Sequence, residues 1–148
     1  MQPSSRCVDL VKQFEGLRLA AYRDSGGVPT IGYGHTANVH MGDLIGEDQA
    51  EAFLAADLAW AATAVSSKVG IRAQLTQEQF DALTSFEFNT GGLLGSTLVK
   101  LLNAGDVHAA ADEFLRWDKI IINHTPVDDR GLLRRRTAER ILFLGGAV

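Results

Sequence analysis

A single cysteine, Cys7, leaves no partner for an internal disulfide, so nothing within the chain is stapled covalently. In the first helix it reads as a small buried hydrophobe, and nothing beside it argues for a redox-regulated thiol. Basic residues are too few to outweigh the acids: 14 against 18 give a formal charge of −4. That balance argues against a dedicated nucleic-acid binder, which would carry a basic footprint. No apolar run reaches the roughly 20 residues of a membrane span. Met1 to Arg6 lack the apolar centre of a signal peptide, so either the protein stays in the cytoplasm or something else lets it across a membrane. His35, His40, His108 and His124 are scattered without metal-ligand spacing, and no metal is expected. Gly32-Tyr33-Gly34 has neither the pattern nor the βαβ setting of a phosphate loop. Internal repeats and low-complexity linkers are absent as well.

What is present is the composition of one folded unit. At 148 residues and 46% apolar, the chain can bury about two-thirds of its unfolded surface. Ser4 or Ser5 can cap a first helix running to about Glu15, with Val8, Leu10, Val11 and Phe14 on its apolar side and Gly16 as its stop. Leu17 to Tyr22 reads as a short strand, Asp24-Ser25-Gly26-Gly27 as a turn, and Thr30 to Tyr33 as a second strand after Pro29. A third short strand is expected within Thr36 to Met41. The helical spacing of Ala50, Phe53, Leu54, Leu58, Ala61 and Val65 predicts one long helix over about 48–67, with Glu47, Asp48 and Glu51 at its favoured acidic end.

Further on, Thr76-Gln77-Glu78-Gln79 has the form of a capping box ahead of Phe80, Leu83 and Phe86, and Asn89-Thr90-Gly91-Gly92 ends that helix. Ser96 or Thr97 can cap a short helix with Leu98, Leu101 and Leu102 inward. Asp106 caps the next, whose stripe is Val107, Ala110, Ala111, Phe114 and Leu115. The last helix begins near Gly131 and carries Leu132, Leu133, Ile141 and Leu144. The expected fold is α+β in a single domain: a small antiparallel sheet lobe over about 16–46, a bridging helix over about 47–68, and a larger helical lobe over about 69–148 joined by the N-terminal helix, with a cleft between lobes.

Three residues carry candidate chemistry. Glu15 sits at a helix C-terminus beside Phe14 and Leu17, where the helix dipole and apolar neighbours both favour the neutral acid that a proton donor needs. Asp24 lies in a glycine-rich turn and Thr30 in the strand beyond it. Each has a plain structural alternative: a solvated glutamate, a turn-forming aspartate, a strand threonine. Together they can protonate one side of a bond and steer water to the other.

The pattern Glu15, Asp24 and Thr30, the last within Pro29-Thr30-Ile31-Gly32-Tyr33-Gly34-His35, resembles phage-type lysozymes, the endolysins of glycoside hydrolase family 24. The resemblance continues in order through 75–83, Ser85-Phe86-Glu87-Phe88-Asn89-Thr90-Gly91, 96–98, 102–106, 114–117 and 131–139, nearly the whole chain. It implies hydrolysis of the β-1,4 bond between N-acetylmuramic acid and N-acetylglucosamine in peptidoglycan. Glu15 would be the general acid, and Asp24 and Thr30 would hold the attacking water. Inversion requires carboxyl groups roughly 6.5–9.5 Å apart. His35, Phe88, Asn89, Thr97 and Arg116 are the positions the resemblance offers for substrate binding, although a hydrogen-bonding histidine, a core aromatic, a helix stop, a cap and a surface charge would explain the same residues. It also implies a monomer acting on glycan strands in the periplasm after the membrane is permeabilised, without cofactor. A wall-binding scaffold that has kept the fold, or a lytic transglycosylase, would be the rival readings.

Two features depart from the pattern. Many phage lysozymes are basic, whereas this chain is acidic. The segment Ile120-Ile121-Ile122-Asn123-His124-Thr125-Pro126-Val127-Asp128-Asp129-Arg130 stands where a glycine-rich stretch is usual, and its triple isoleucine reads as strand-like or packed against something. Arg134-Arg135-Arg136 is expected to be a solvated face with one buried partner, Arg135 or Arg136 pairing with an acid near Glu15.

Overall fold

The computed structural model describes residues 1–69 and 74–148, so four positions of the expected helical lobe, 70–73, lie outside the described residues. Helix α1 spans Ser5–Glu15, and Ser4 caps it by accepting the Arg6 N–H. Gly16 then adopts φ 69° and donates to the Lys12 carbonyl, which stops the helix and lets the chain reverse. Strands β1 (Arg18–Arg23) and β2 (Pro29–Gly32) pair antiparallel, with Tyr22 opposite Thr30. The third strand expected over Thr36 to Met41 does not form: that stretch runs through turns. Leu44, beyond it, makes an isolated bridge to Ala20. Asn38 at φ 55° and Gly42 at φ 100° break the extended backbone that a strand there would need.

Helix α2 (Glu47–Lys68) follows, with Glu47 and Asp48 in its first turn. Helix α3 (Gln77–Thr90) opens on the capping box formed by Thr76 and Gln79 and closes on left-handed Gly91. Ser96, not Thr97, caps α4 (Thr97–Asn103), and Asp106 caps α5 (Val107–Glu113), which tightens into a 3-10 turn at Phe114–Arg116. Strands β3 (Lys119–Ile122) and β4 (Thr125–Asp128) form a second hairpin, and α6 runs Arg130–Phe143. The isoleucines are therefore a strand, but Ile121 and Ile122 are 67% and 48% exposed rather than packed.

The main core lies among α3, α4, α5 and α6, where Leu83, Phe86, Leu98, Phe114, Leu142 and Phe143 are buried. A smaller cluster of Cys7, Val11, Leu54 and Leu58 joins α1 to α2. Cys7 is fully buried as a hydrophobe, and burial pushes its thiol up to about 12, with the Asp81 and Glu139 charges adding to the effect. Helix α6 corrects the sequence expectation at its arginines, of which one buried partner was expected. Leu133, Ile141 and Leu144 stay exposed while Leu142 and Phe143 go inward, and both Arg135 and Arg136 are buried beside an exposed Arg134. The inward stripe of α6 carries charge in its first half, so counting apolar residues alone misplaces the face.

Candidate active site

Glu15 is the last residue of α1, and the reversal at Gly16 leaves its side chain facing α6 and the first hairpin. Its Oε1 accepts a hydrogen bond from Arg135 Nη1 at 2.6 Å, and the side chain remains 18% exposed. The apolar setting expected for it is thus replaced on one side by a guanidinium. On another side stands the turn after β2, closed by reciprocal bonds of 2.9 Å between Ile31 and His35. Gly34 in that turn has φ +79°, and a Cβ there would lie 2.7 Å from Glu15 Oε2. Only glycine allows the turn backbone to come this close to the carboxylate. Phe14, Glu15, Asn89, Asp129, Leu132 and Arg135 are among the residues around a pocket of about 650 Å³.

Asp24 is held by its own turn: Oδ1 accepts from the backbone N–H groups of Gly26 and Val28, both at 2.9 Å. Its Oδ2 accepts no bond among the described residues. Thr30 is 3% exposed and donates its hydroxyl to the Val28 carbonyl at 2.8 Å. Tyr22 stands opposite Thr30 across the first hairpin. Burial raises the pKa of its phenol, the negative charges of Glu15 and then Asp24 add to the rise, and Arg18, 4.4 Å from the ring centre, opposes it. The half-buried Tyr22 ring therefore lies in the field of both carboxylates.

The remaining candidates fall in different surroundings. Asn89 borders the pocket at Glu15 and also a second one of about 390 Å³, together with Arg116, Trp117, Lys119, Leu132 and Arg136. Asn89 and Leu132 belong to both pockets, so the two adjoin. Arg116 is exposed and pairs with Glu113 at 3.2 Å. Phe88 packs against the Cys7 cluster, its ring centre 6.0 Å from the Arg135 guanidinium. Thr97 is an exposed first-turn residue of α4, outside the lining of both pockets. His35 is buried, stacked on Phe53 at 4.0 Å, with Nδ1 2.8 Å from Asp57 Oδ2. Among the described residues, no group of three His, Cys, Asp or Glu is placed to hold a metal ion.

The expected arginine pairing is met by Glu15 itself, and it extends further. Arg135 and Arg136 both bond Glu139, which is fully buried and which the sequence reading did not single out. Its signal was the spacing: three and four residues beyond the arginines on one helix, where side chains meet. Tyr22 and Gly34 were also missed, the first for want of any cue that its ring would lie in the field of both acids, the second because a close approach is a tertiary fact.

The family model described as Phage lysozyme matches residues 12–139. The chain is 43% identical over 145 residues to an endolysin of Acyrthosiphon pisum secondary endosymbiont phage 1, covering 97% of this chain and 98% of that one. Among solved structures, the endolysin from Escherichia coli O157:H7 phage FAHEc1 is 38% identical with a TM-score of 0.88, over 97% of this chain and 94% of the other. The muramidase domain of SpmX from Asticaccaulis excentricus is 37% identical with a TM-score of 0.88, over 97% of both chains.

Proposed function

This chain belongs to the phage lysozyme family, and from that premise we propose that it is an endolysin that hydrolyses the β-1,4 bond between N-acetylmuramic acid and N-acetylglucosamine of peptidoglycan. Glu15 is the general acid that protonates the leaving glycosidic oxygen, and Asp24 with Thr30 orients the attacking water. The observation that carries this reading is Glu15 itself, held by Arg135 on the wall of a pocket of about 650 Å³, with the turn after β2 brought close to its other oxygen at Gly34.

Hydrogen-bond polarity supports the assignment. Asp24 Oδ1 is committed to two backbone donors, which leaves Oδ2 to accept. The Thr30 hydroxyl spends its proton on Val28, so towards a water it too can only accept. A water between them must donate both of its protons, and its lone pair then points away from the hairpin, where an anomeric carbon would lie. Acid, base and water suffice for such a reaction, so it needs no cofactor. Attack from the face opposite the acid is the geometry of inversion. Asn89, with Arg116 farther along the two adjoining pockets, would meet the glycan, with Phe88, Thr97 and His35 contributing less directly. The protein would work as a monomer on glycan strands, made in the host cytoplasm and reaching the periplasmic wall once the membrane is permeabilised. Among the described residues no helix is long and apolar enough to cross a membrane.

Turbidity clearing of permeabilised Gram-negative cells, comparing wild type with Glu15→Gln, tests the proposal. Wild type should clear and the variant should not. Equal clearing by both would leave a wall-binding role without this chemistry. Mass spectrometry of the fragments should find reducing-end N-acetylmuramic acid, and an anhydro-sugar would replace hydrolysis with transglycosylation.

A further inference from the structure

We propose that Glu139 is a positioning residue that locks the Glu15 carboxylate and the Asn89 amide into one rigid unit through Arg135 and Arg136. The inference rests on the function proposed above and adds to it a residue that no substrate touches.

Every nitrogen of both guanidinium groups is committed. Arg135 donates Nη1 to Glu15, Nε to Glu139 at 3.2 Å and Nη2 to the Ser85 carbonyl at 3.4 Å. Arg136 donates Nε to the Trp117 carbonyl at 3.1 Å, Nη1 to Glu139 and Nη2 to Asn89 Oδ1. A planar fork with three nitrogens engaged has no rotation left to it. Glu139 is the part the two forks share: Oε1 takes Arg135 and the Ser85 hydroxyl at 2.7 Å, while Oε2 takes Arg136. The Phe14, Phe88 and Phe86 rings lie 5.9, 6.0 and 5.0 Å from the guanidinium carbons and help to fix the planes.

The chain of contacts therefore runs from Asn89 through Arg136, Glu139 and Arg135 to Glu15, crossing from the second pocket to the first. With its oxygen taken by Arg136, Asn89 keeps its amide N–H groups for the groove, where they suit an acceptor on the sugar. A glycan that engages Asn89 is thereby registered against the acid, and small displacements of a reacting group cost catalysis steeply. Deleting the shared carboxylate leaves two buried cations facing each other and frees both ends of the chain at once.

The test measures kcat and KM on defined glycan oligomers for wild type, Glu139→Gln, Glu139→Asp, Asn89→Ala and the Glu139→Gln/Asn89→Ala pair, well below each melting temperature. Glu139→Gln should lose kcat by about tenfold or more, Glu139→Asp should recover part of it, and the double variant should lose less than the product of the two single losses. Folded Glu139→Gln with kcat within twofold of wild type, or losses that multiply, would overturn the proposal. If Glu139→Gln does not fold, Ser85→Ala decides, since it loosens Glu139 without changing charge: a fall in kcat supports the proposal and an unchanged kcat rejects it. A readout independent of turnover keeps this apart from the reaction assignment. The Nε–H resonances of both arginines should move together in Glu15→Gln, even if wild type proves inactive on glycan, and an Arg136 signal that stays in place would sink the coupling.

Discussion

At Gly34 one methyl group separates geometry from stability. An alanine there would hold φ +79° at a strain of about 1–2 kcal/mol, and its Cβ would fall 2.7 Å from Glu15 Oε2. Gly105 offers the control, with φ +90° and nothing within 4 Å. Gly34→Ala and Gly105→Ala should lower the melting temperature by similar amounts, while only the first loses activity, by about tenfold or more. Equal activity in the two would mean that the carboxylate tolerates displacement. Cys7 makes a second residue-scale prediction. Its thiol is pushed from an ordinary 9.0 up to about 12, so between those values the unfolded chain has released a proton that the native protein retains. Stability must then fall as pH rises through that window, and it gains nothing from the cysteine below it. Denaturant titrations at pH 8 and pH 10.5 should show a larger loss in wild type than in Cys7→Ala, and a thiol reagent at neutral pH should react only after unfolding.

The helices show why part of the fold could be read in advance and part could not. Helix α3 was legible because its cap, its apolar spacing and its stopping glycine all lie within one stretch, and each is a local physical preference. Glu15, Asp24 and Thr30 were singled out by their order and flanking residues, and their local settings were legible: the end of α1, the hairpin turn and β2. What holds Glu15 was only half legible: an arginine of α6 was expected near it, but the shared carboxylate of Glu139 depends on how α1, α3 and α6 pack. For the same reason α6 misled, because its inward face begins as an ion cluster and turns apolar only at Leu142 and Phe143. The second hairpin is the opposite case, strand-like in composition yet with much of its apolar surface left in water. Ile121→Thr with Ile122→Thr should accordingly change unfolding free energy by no more than about 0.5 kcal/mol per site, whereas Leu142→Ala should cost about 2–5 kcal/mol. A large loss from the isoleucines in chemical denaturation would show that they pack against something in solution.

Across the whole molecule, charge decides how the protein meets its polymer. In the buried cluster Arg135 and Arg136 are paired with Glu15 and Glu139, so these groups are not what a distant polymer meets. The excess of four negative charges is carried mainly at the surface, where exposed Glu47 and Asp48 open α2. An anionic wall should therefore repel this protein at long range, whereas a basic lysozyme would be drawn in. Screening reverses the usual salt response: the Debye length shrinks from about 30 Å at 0.01 M to about 10 Å at 0.1 M, and the repulsion goes with it. The initial rate of digestion of purified sacculi should rise, or at least hold level, as sodium chloride is raised over that range. Glu47→Gln with Asp48→Asn removes two of the surface charges at a helix end away from the pocket lining. That variant should digest faster than wild type at low salt and respond less to added salt, at the price of some α2 stability from the lost helix-dipole interaction. A wild-type rate that falls with salt would mean that a local basic patch, and not the net charge, governs the encounter.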